Sequence, residues 1–416
     1  MENRLKRNIK VIYALAFFHM FMLIVPVLVP FFQSKGLSLA EVFYLQAVYA
    51  AAIVLLEAPS GYFADVMGRR LALIVGAAAH GLGYLWLNFA DDFFGLIIFE
   101  LILGFAMSML SGADLALLYD SEKALAQEDQ EHAPGVAHLG FTKSLAEGSG
   151  ALLGGVLAMW SFDLMVLMQS VTAWICLALA LLITEPPLDV ESATDGVVDT
   201  SAPTKRNAVS FREIWQHVAK GDPILRLVFI ALPMYNLVSI NVTWLVQPYW
   251  DDMGLSLALF GVLWCAQSIT VAIATQCGFA LEKKKGAVFA LVVIGILPMA
   301  GVFGMAWIGG WIGLAFGFVL FFCRGLYQVI LVNALNRRIP GKFRATVNSL
   351  NSLVFRFGFI VTGPALGFVA DHYGLGAALS LIGVGSALTF VLVMLPLIKA
   401  VKGLPSARQR PDVSTP

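Results

Sequence analysis

Ionisable and hydrogen-bonding side chains lie in the middle of long apolar stretches of this 416-residue sequence. Arg324 stands near the centre of one stretch, and Gln328 follows it one helical turn later. A guanidinium presents a planar fork of donors that matches a carboxylate or a phosphate, so this pair predicts binding of an anionic group. Asn236, Ser239 and Thr243 share one helical face of another stretch and offer neutral hydrogen bonds.

Acidic and imidazole side chains in further apolar stretches could carry a proton. An ionised side chain inside a membrane costs about 2.5–3.5 kcal/mol on insertion scales, so these groups are expected to face water or a partner. Asp114 is the first choice as proton carrier, and it is also a possible counter-charge for Arg324. Glu57, Glu147 and His19 are the alternatives, although hydrogen bonding between helices would also explain the two glutamates.

Two more charged residues lie away from the centres of their stretches. Glu100 is near one end of its stretch, where solvation is the expected state. Arg356 either contributes to a binding site or extends its side chain to the membrane surface.

The composition indicates that the helices that carry these groups lie in a membrane. Hydrophobic residues make up 59% of the chain and charged residues 13%, with a mean hydropathy of +0.81, whereas soluble domains are about 25% charged. Apolar stretches of about 20 residues, enough for a helix to cross a bilayer, recur twelve times. We therefore predict an all-α integral membrane protein with these spans, numbered 1 to 12: 11–33, 39–63, 71–90, 94–118, 138–160, 164–184, 224–249, 256–280, 287–307, 310–335, 346–370 and 375–398.

The charges alternate between the two sides of the predicted membrane. The 27 basic and 27 acidic residues cancel, but the basic ones cluster before span 1 and after spans 2, 8 and 10. The loops on the other side hold Lys35 together with aspartates such as Asp91, Asp251 and Asp371. Because cytoplasmic loops carry the excess of Lys and Arg, both termini are expected in the cytoplasm, and the protein in the cell membrane.

A polar segment divides the chain into two halves of six spans. We expect an N-terminal bundle over 1–184, a cytoplasmic linker over 185–222 and a C-terminal bundle with a cytoplasmic tail over 223–416. Within the linker, Phe211, Ile214, Trp215 and Val218 form one face of a short amphipathic helix expected on the membrane surface. "GALLGG" in span 5 is echoed by "GPALGF" in span 11, which indicates an internal duplication and pseudo-symmetric halves.

The hinge between spans 2 and 3 has the pattern GxxxDxxGRR, and with the six-plus-six organisation it resembles the signature of the major facilitator superfamily. The residues at its fixed positions are Gly61, Asp65, Gly68, Arg69 and Arg70. The glycines suit close helix approach and a tight turn, and the arginines could reach Asp120 at the end of span 4. Such a cluster is expected to act as a conformational latch that forms in one access state and breaks in the other.

The resemblance implies the superfamily's fold and mode of action. Two six-helix bundles would enclose a central cavity lined by spans 1, 4, 7 and 10, and the protein would move a small organic solute, anionic or zwitterionic, by alternating access. The cavity residues would be His19, Asp114, Asn236, Ser239, Thr243, Arg324, Gln328 and Arg356. The glycine run of span 5, Gly150 to Gly155, is similar to one in proton-coupled exporters of the family, except that it lacks their proline.

These features favour proton-coupled export. Proton-coupled uptake by symport is the alternative within the superfamily, and a membrane sensor without transport is a more distant one. All four cysteines fall within spans without metal-ligand spacing, and no catalytic constellation stands out, so we expect no metal, no cofactor and no enzymatic activity. The expected partners are the solute, protons and the lipid bilayer, with no nucleic acid, for a protein that acts as a monomer.

Overall fold

A computed structural model describes residues 2–123, 125, 135–185 and 222–403 of the chain. Helices account for nearly all of these residues, and the described ranges contain no strand. The linker helix predicted at 211–218 lies outside them.

Nine of the twelve predicted spans are single helices over the described residues. Their bounds are Leu39–Met67 for span 2, Arg69–Leu87 for span 3, Gly135–Trp160 for span 5, Phe162–Leu182 for span 6, Pro223–Asp252 for span 7, Leu257–Lys285 for span 8, Ala287–Trp307 for span 9, Gly310–Arg337 for span 10 and Gly341–Tyr373 for span 11. Their lengths follow from long runs of apolar helix formers that begin and end at glycine or polar turns.

The remaining three spans are interrupted. Span 1 comprises Glu2–Met20, a 3₁₀ turn at Val25–Val27 and Leu28–Ser34. Span 4 comprises Phe93–Leu110 and Ala113–Lys123, and span 12 comprises Leu375–Thr389, a π-helical segment Phe390–Met394 and Leu395–Lys402. Gly112, at φ +83°, takes the left-handed conformation that lets span 4 change direction just before Asp114.

Eleven spans in the described residues are long and apolar enough to cross a membrane. The predicted span that is not among the eleven is span 5, the 26-residue helix Gly135–Trp160. Lys143 and Glu147 are the charged residues of this helix.

The spans pack mainly within each half of the chain. In the first half, span 4 packs against spans 2 and 3, and spans 1 and 3 pack against span 6. In the second half, span 10 packs against spans 7, 8 and 9, and span 12 packs against span 9. The two halves meet where span 2 contacts span 11, where span 5 contacts span 8, and where the outer part of span 1 contacts span 7.

The glycine run of span 5 allows close contact with span 8 of the other half and with span 1 of its own half. A Cβ on Gly154 would collide with the backbone oxygen of Leu23, in the interruption of span 1, and a Cβ on Gly155 would lie 2.7 Å from the backbone oxygen of Leu257 in span 8. Gln169 of span 6 accepts a hydrogen bond from the Leu23 amide at 2.5 Å. This bond gives a partner to a backbone N–H that lies in the interruption of span 1.

We call the end of the bundle that holds Gly68–Arg70 and Lys283–Gly286 the basic end, and the end that holds Lys35 and Asp371 the opposite end. At the opposite end, the Asp371 carboxylate accepts hydrogen bonds from the amides of Leu39 and Ala40 at 2.9 and 2.8 Å. Gln247 accepts from the Val29 amide and donates to the Val25 carbonyl, both at 2.9 Å. These bonds join the two halves, and the opposite end is closed.

Candidate functional site

A cavity of about 540 Å³ lies between the halves and extends from the middle of the bundle toward the basic end. Spans 5, 7, 8 and 10 form its walls. The lining residues are Gly140, Phe141, Ser144 and Glu147 from span 5, Thr243 from span 7, Trp264, Gln267, Ser268, Val271, Ala272, Thr275 and Gln276 from span 8, and Phe321, Arg324 and Gln328 from span 10. A volume of this size suits a small organic molecule.

Arg324 and Gln328 project into this cavity, as the sequence predicted, together with Thr243. Arg324 is half-buried near the midpoint of the helix Gly310–Arg337. Thr243 donates a hydrogen bond to the Ser239 carbonyl at 2.8 Å, while the Ser239 hydroxyl accepts from Tyr327 at 2.8 Å. Ser239 is therefore used in packing spans 7 and 10, and Thr243 is the member of the predicted span 7 face that lines the cavity.

Glu147 faces Arg324's cavity from the other half of the chain. Its Oε1 accepts hydrogen bonds from the Trp264 indole at 3.3 Å and the Ser268 hydroxyl at 3.4 Å. Both donors belong to span 8, which the sequence did not assign to the cavity. Among the described residues that line this cavity, Glu147 and Arg324 are the charged ones, and they come from opposite halves.

Asp114 lies elsewhere, in a buried ion pair. Its Oδ2 is 2.6 Å from Lys143 Nζ of span 5, its side chain is 7% exposed, and its Oδ1 accepts from the Leu115 amide at 2.7 Å. Of the two counter-charges that the sequence allowed for Arg324, Asp114 is therefore not the one found here, because the turn at Gly112 directs span 4 toward span 5 of its own half.

His19 is buried inside the first half beside this ion pair. Its ring lies 5.0 Å from that of His80, and it interacts electrostatically with Asp114 and Lys143. His19 and Asp114 are thus near each other, but neither lines the cavity described above, to which the sequence assigned both.

Three other predicted residues also lie outside the cavity lining. Asn236 is half-buried on span 7, and Glu57 is exposed on span 2. Arg356 is half-buried on span 11, and its Nε is buried without a hydrogen-bond partner in the described structure.

Glu100 is buried, so the expectation that it is solvated was wrong. Its side chain is 3% exposed, and its Oε1 accepts a hydrogen bond from Gln46 of span 2 at 2.8 Å. Span 4 packs between spans 2 and 3 at this level, which excludes water from a residue that the sequence places near a membrane surface.

The hinge between spans 2 and 3 brings together most of its predicted residues. Gly68 has φ +97° and joins the two helices. The Arg69 guanidinium forms an ion pair with Asp120 and donates to the Ala116 carbonyl at 3.0 Å. Arg70 instead donates to the Leu181 carbonyl at 3.4 Å, so Arg69 is the partner of Asp120 in this conformation.

Two details of the hinge differ from expectation. A Cβ on Gly61 would meet nothing within 4 Å, so no helix approaches it closely here, and Asp65 is exposed in the last turn of span 2. Glu185, which the sequence did not single out, accepts hydrogen bonds from the amides of Arg69 and Arg70, both at 3.0 Å. This carboxylate caps the start of span 3, where backbone donors lack helical partners.

Comparison with known proteins identifies the family. The model of the Major Facilitator Superfamily matches residues 11–338. The chain belongs to this superfamily. The resemblance seen at the hinge and the expected fold are both confirmed, and the protein is a multi-pass membrane protein of a transporter family.

Relatives and solved structures of the superfamily are similar over most of the chain. An uncharacterised MFS-type transporter of Bacillus subtilis (strain 168), YxaM, is 20% identical over 84% of this chain and 85% of its own length. The nucleoside transporter NupG superimposes with a TM-score of 0.71 at 13% identity, covering 96% of this chain and 100% of that chain.

Two further structures share the fold at similar distance. A bacterial homologue of the human lysosomal transporter Spinster, inward-facing and unoccupied, has a TM-score of 0.66 at 15% identity and covers 96% of this chain and 95% of its own. A D-xylose–proton symporter has a TM-score of 0.64 at 13% identity, covering 94% of this chain and 98% of that chain. At these identities the likeness establishes the fold.

Proposed function

We propose that this superfamily member exports a small organic solute that carries an anionic group, by proton-coupled alternating access in the cell membrane. The observation that carries the proposal is a cavity between the two halves that contains Arg324 and extends to the basic end, while hydrogen bonds seal the opposite end. With both termini in the cytoplasm, this is the conformation that admits a solute from the cytoplasm.

Arg324 supplies the main attraction for the solute. Its fork can hold a carboxylate or phosphate in two hydrogen bonds, and Gln328 and Thr243 line the same cavity with neutral hydrogen-bonding groups. A charged solute held by fixed donors in a partly desolvated site would be bound through these groups rather than through a general apolar surface.

Glu147 is the better placed proton carrier among the predicted acids. Protons can reach it from the cavity, and its hydrogen bonds to Trp264 and Ser268 join span 5 to span 8 across the interface of the halves. Protonation would change the charge at a contact that must rearrange when the cavity closes. Asp114, which has Lys143 as its counter-charge, is the second candidate.

Transport into inverted membrane vesicles tests the proposal. A panel of organic anions, zwitterions, cations and neutral compounds is offered with the vesicle lumen more acidic than the medium, and accumulation is measured with and without a protonophore. We expect accumulation of compounds that carry an anionic group, its loss in Arg324→Ala, and loss of gradient dependence in Glu147→Gln with exchange preserved at saturating solute.

The same panel in right-side-out vesicles with an acidic exterior detects the alternative direction. Gradient-driven accumulation there, without accumulation in inverted vesicles, would show proton-coupled uptake and refute export. Asp114→Asn separates the two acids, because retained gradient dependence in this variant and its loss in Glu147→Gln assign coupling to Glu147.

A further inference from the structure

We infer that the solute is a zwitterion whose cationic group binds at Glu147 and whose anionic group binds at Arg324. This inference rests on the proposed function and narrows its substrate class. It starts from the position of the two charged residues, one in each half, in the wall of the same cavity.

Among the described residues, Glu147 has neutral hydrogen-bond partners and no ion pair. Its two hydrogen bonds, at 3.3 and 3.4 Å, are long and involve the same oxygen, Oε1. Lys143 lies one helical turn away on span 5, but its ammonium is 2.6 Å from Asp114. A carboxylate with weak neutral donors at a cavity wall can therefore accept a cationic group from a ligand.

Arg324 likewise forms no ion pair among the described residues. No ion pair between Arg324 and Glu147 is recorded among the described residues, and the acid that could have neutralised Arg324, Asp114, is paired in the other half. The cavity lining thus offers one positive and one negative group that do not neutralise each other directly.

The charge balance of the lining selects among solute classes. A simple anion would satisfy Arg324 and be repelled by Glu147, and a simple cation would have the reverse difficulty. A neutral solute would leave both charges without a partner in a partly desolvated site. A zwitterion pairs with both, and the cavity volume of about 540 Å³ is large enough for a small organic molecule.

The two anchoring residues also belong to the two parts that must move together. Glu147 lies on span 5 of the first half, and Arg324 lies on span 10 of the second half. A ligand that holds both charges would stabilise a conformation in which the halves close around it, which a ligand with one charge would do less well.

Matched compound sets test this inference on the purified full-length protein. Each set contains an amino acid or dipeptide, its N-acetyl derivative and its amide, so that a zwitterion, an anion and a cation share one skeleton. Affinity is measured near neutral pH, without a gradient, from the concentration dependence of thermal stabilisation. We expect the bound compounds to be zwitterions, at least about tenfold tighter than either derivative.

Variants then show which residue is responsible for the preference for zwitterions. Glu147→Gln should weaken zwitterion binding by about tenfold and remove the preference over the N-acetyl anion, and Arg324→Gln should remove the preference over the amide. If the glutamine variant folds poorly, Glu147→Asp takes its place. It keeps the charge and should retain part of the preference for the zwitterion over the N-acetyl anion. Asp251→Asn, exposed at the opposite end, is the matched control and should change neither affinity nor preference.

The outcomes separate the inference from the proposed function. Anions that bind as tightly as zwitterions, need Arg324 and are unaffected by Glu147→Gln would overturn the zwitterion and leave anion export standing. Absence of binding in all the matched sets would also overturn it. Absence of gradient-driven transport of every compound in the vesicle experiment would overturn the proposed function itself.

Discussion

Glu100 shows how a single buried carboxyl can be held inside a membrane helix. It accepts a hydrogen bond from the Gln46 amide at 2.8 Å and is 3% exposed. No cationic partner of Glu100 is recorded in the described residues, and an unpaired charge there would be costly, so the neutral acid is the expected form.

We predict that Glu100→Gln preserves stability and that Glu100→Leu loses about 1–3 kcal/mol. Glutamine keeps an acceptor for Gln46, whereas leucine leaves a buried amide without its partner. Thermal unfolding of the detergent-solubilised variants measures the difference. Equal destabilisation by both substitutions would mean that an ionised carboxylate is needed at this position.

The Asp114–Lys143 pair makes a second prediction at the same scale. Removing one charge leaves the other buried without its partner, so Asp114→Asn and Lys143→Gln should each destabilise by roughly 1–3 kcal/mol, with Lys143 partly exposed to solvent. The double variant should be less destabilised than the sum of the two. Strict additivity in this double-mutant cycle would show that the pair contributes no coupling energy.

At the scale of helices, the glycine run of span 5 determines how closely three spans approach. Gly154 faces the interrupted backbone of span 1, and Gly155 faces span 8 across the interface of the halves. Gly154→Ala should therefore destabilise the protein by roughly 2 kcal/mol or more, because the new methyl group would meet rigid backbone at Leu23.

Gly385→Ala is the matched control for this substitution. A Cβ at Gly385, within the helix of span 12, meets nothing within 4 Å, so alanine there should be neutral or stabilise by up to about 1 kcal/mol. Thermal unfolding of both variants compares them directly. Similar midpoints for the two would show that span 5 can move away from Leu23 at little cost.

Helix order and length could be predicted from the sequence, because hydrophobic length and turn glycines are local properties. The position of Arg324 in the cavity could also be predicted, because a charge at the centre of a span must face water or a partner. Gln328 follows one helical turn later and therefore faces the same cavity. Asp114 was misplaced because its direction depends on the turn at Gly112 and on the rotation of span 4. The contribution of span 8, through Trp264 and Ser268, depends on how the halves dock, which no periodicity within one helix encodes.

At the scale of the whole molecule, the two halves are closed at one end and separated by a cavity at the other. Asp371 of span 11 caps the first turn of span 2 with two charge-assisted hydrogen bonds. One turn further along span 2, the Phe43 ring lies 6.3 Å from the Phe359 ring of span 11. At the basic end, Arg69 and Asp120 pair within the first half, and Gly61 has no close neighbour. Among these contacts, those that join the two halves lie at the opposite end, and those at the basic end lie within the first half.

We predict that Asp371→Ala shifts the protein toward a conformation that is open at the opposite end. Losing two hydrogen bonds to a carboxylate should change the equilibrium by about 1–3 kcal/mol, or roughly 5- to 150-fold. Phe43→Cys, in a background without the four native cysteines, should become more reactive toward a membrane-impermeant maleimide, because Phe43 is 1% exposed while this end is closed. Gln276→Cys, in the cavity lining near the basic end, should become less reactive in the same background. A rise at both positions would indicate general loosening of the fold, and unchanged labelling at both would mean that Asp371 does not hold the opposite end closed.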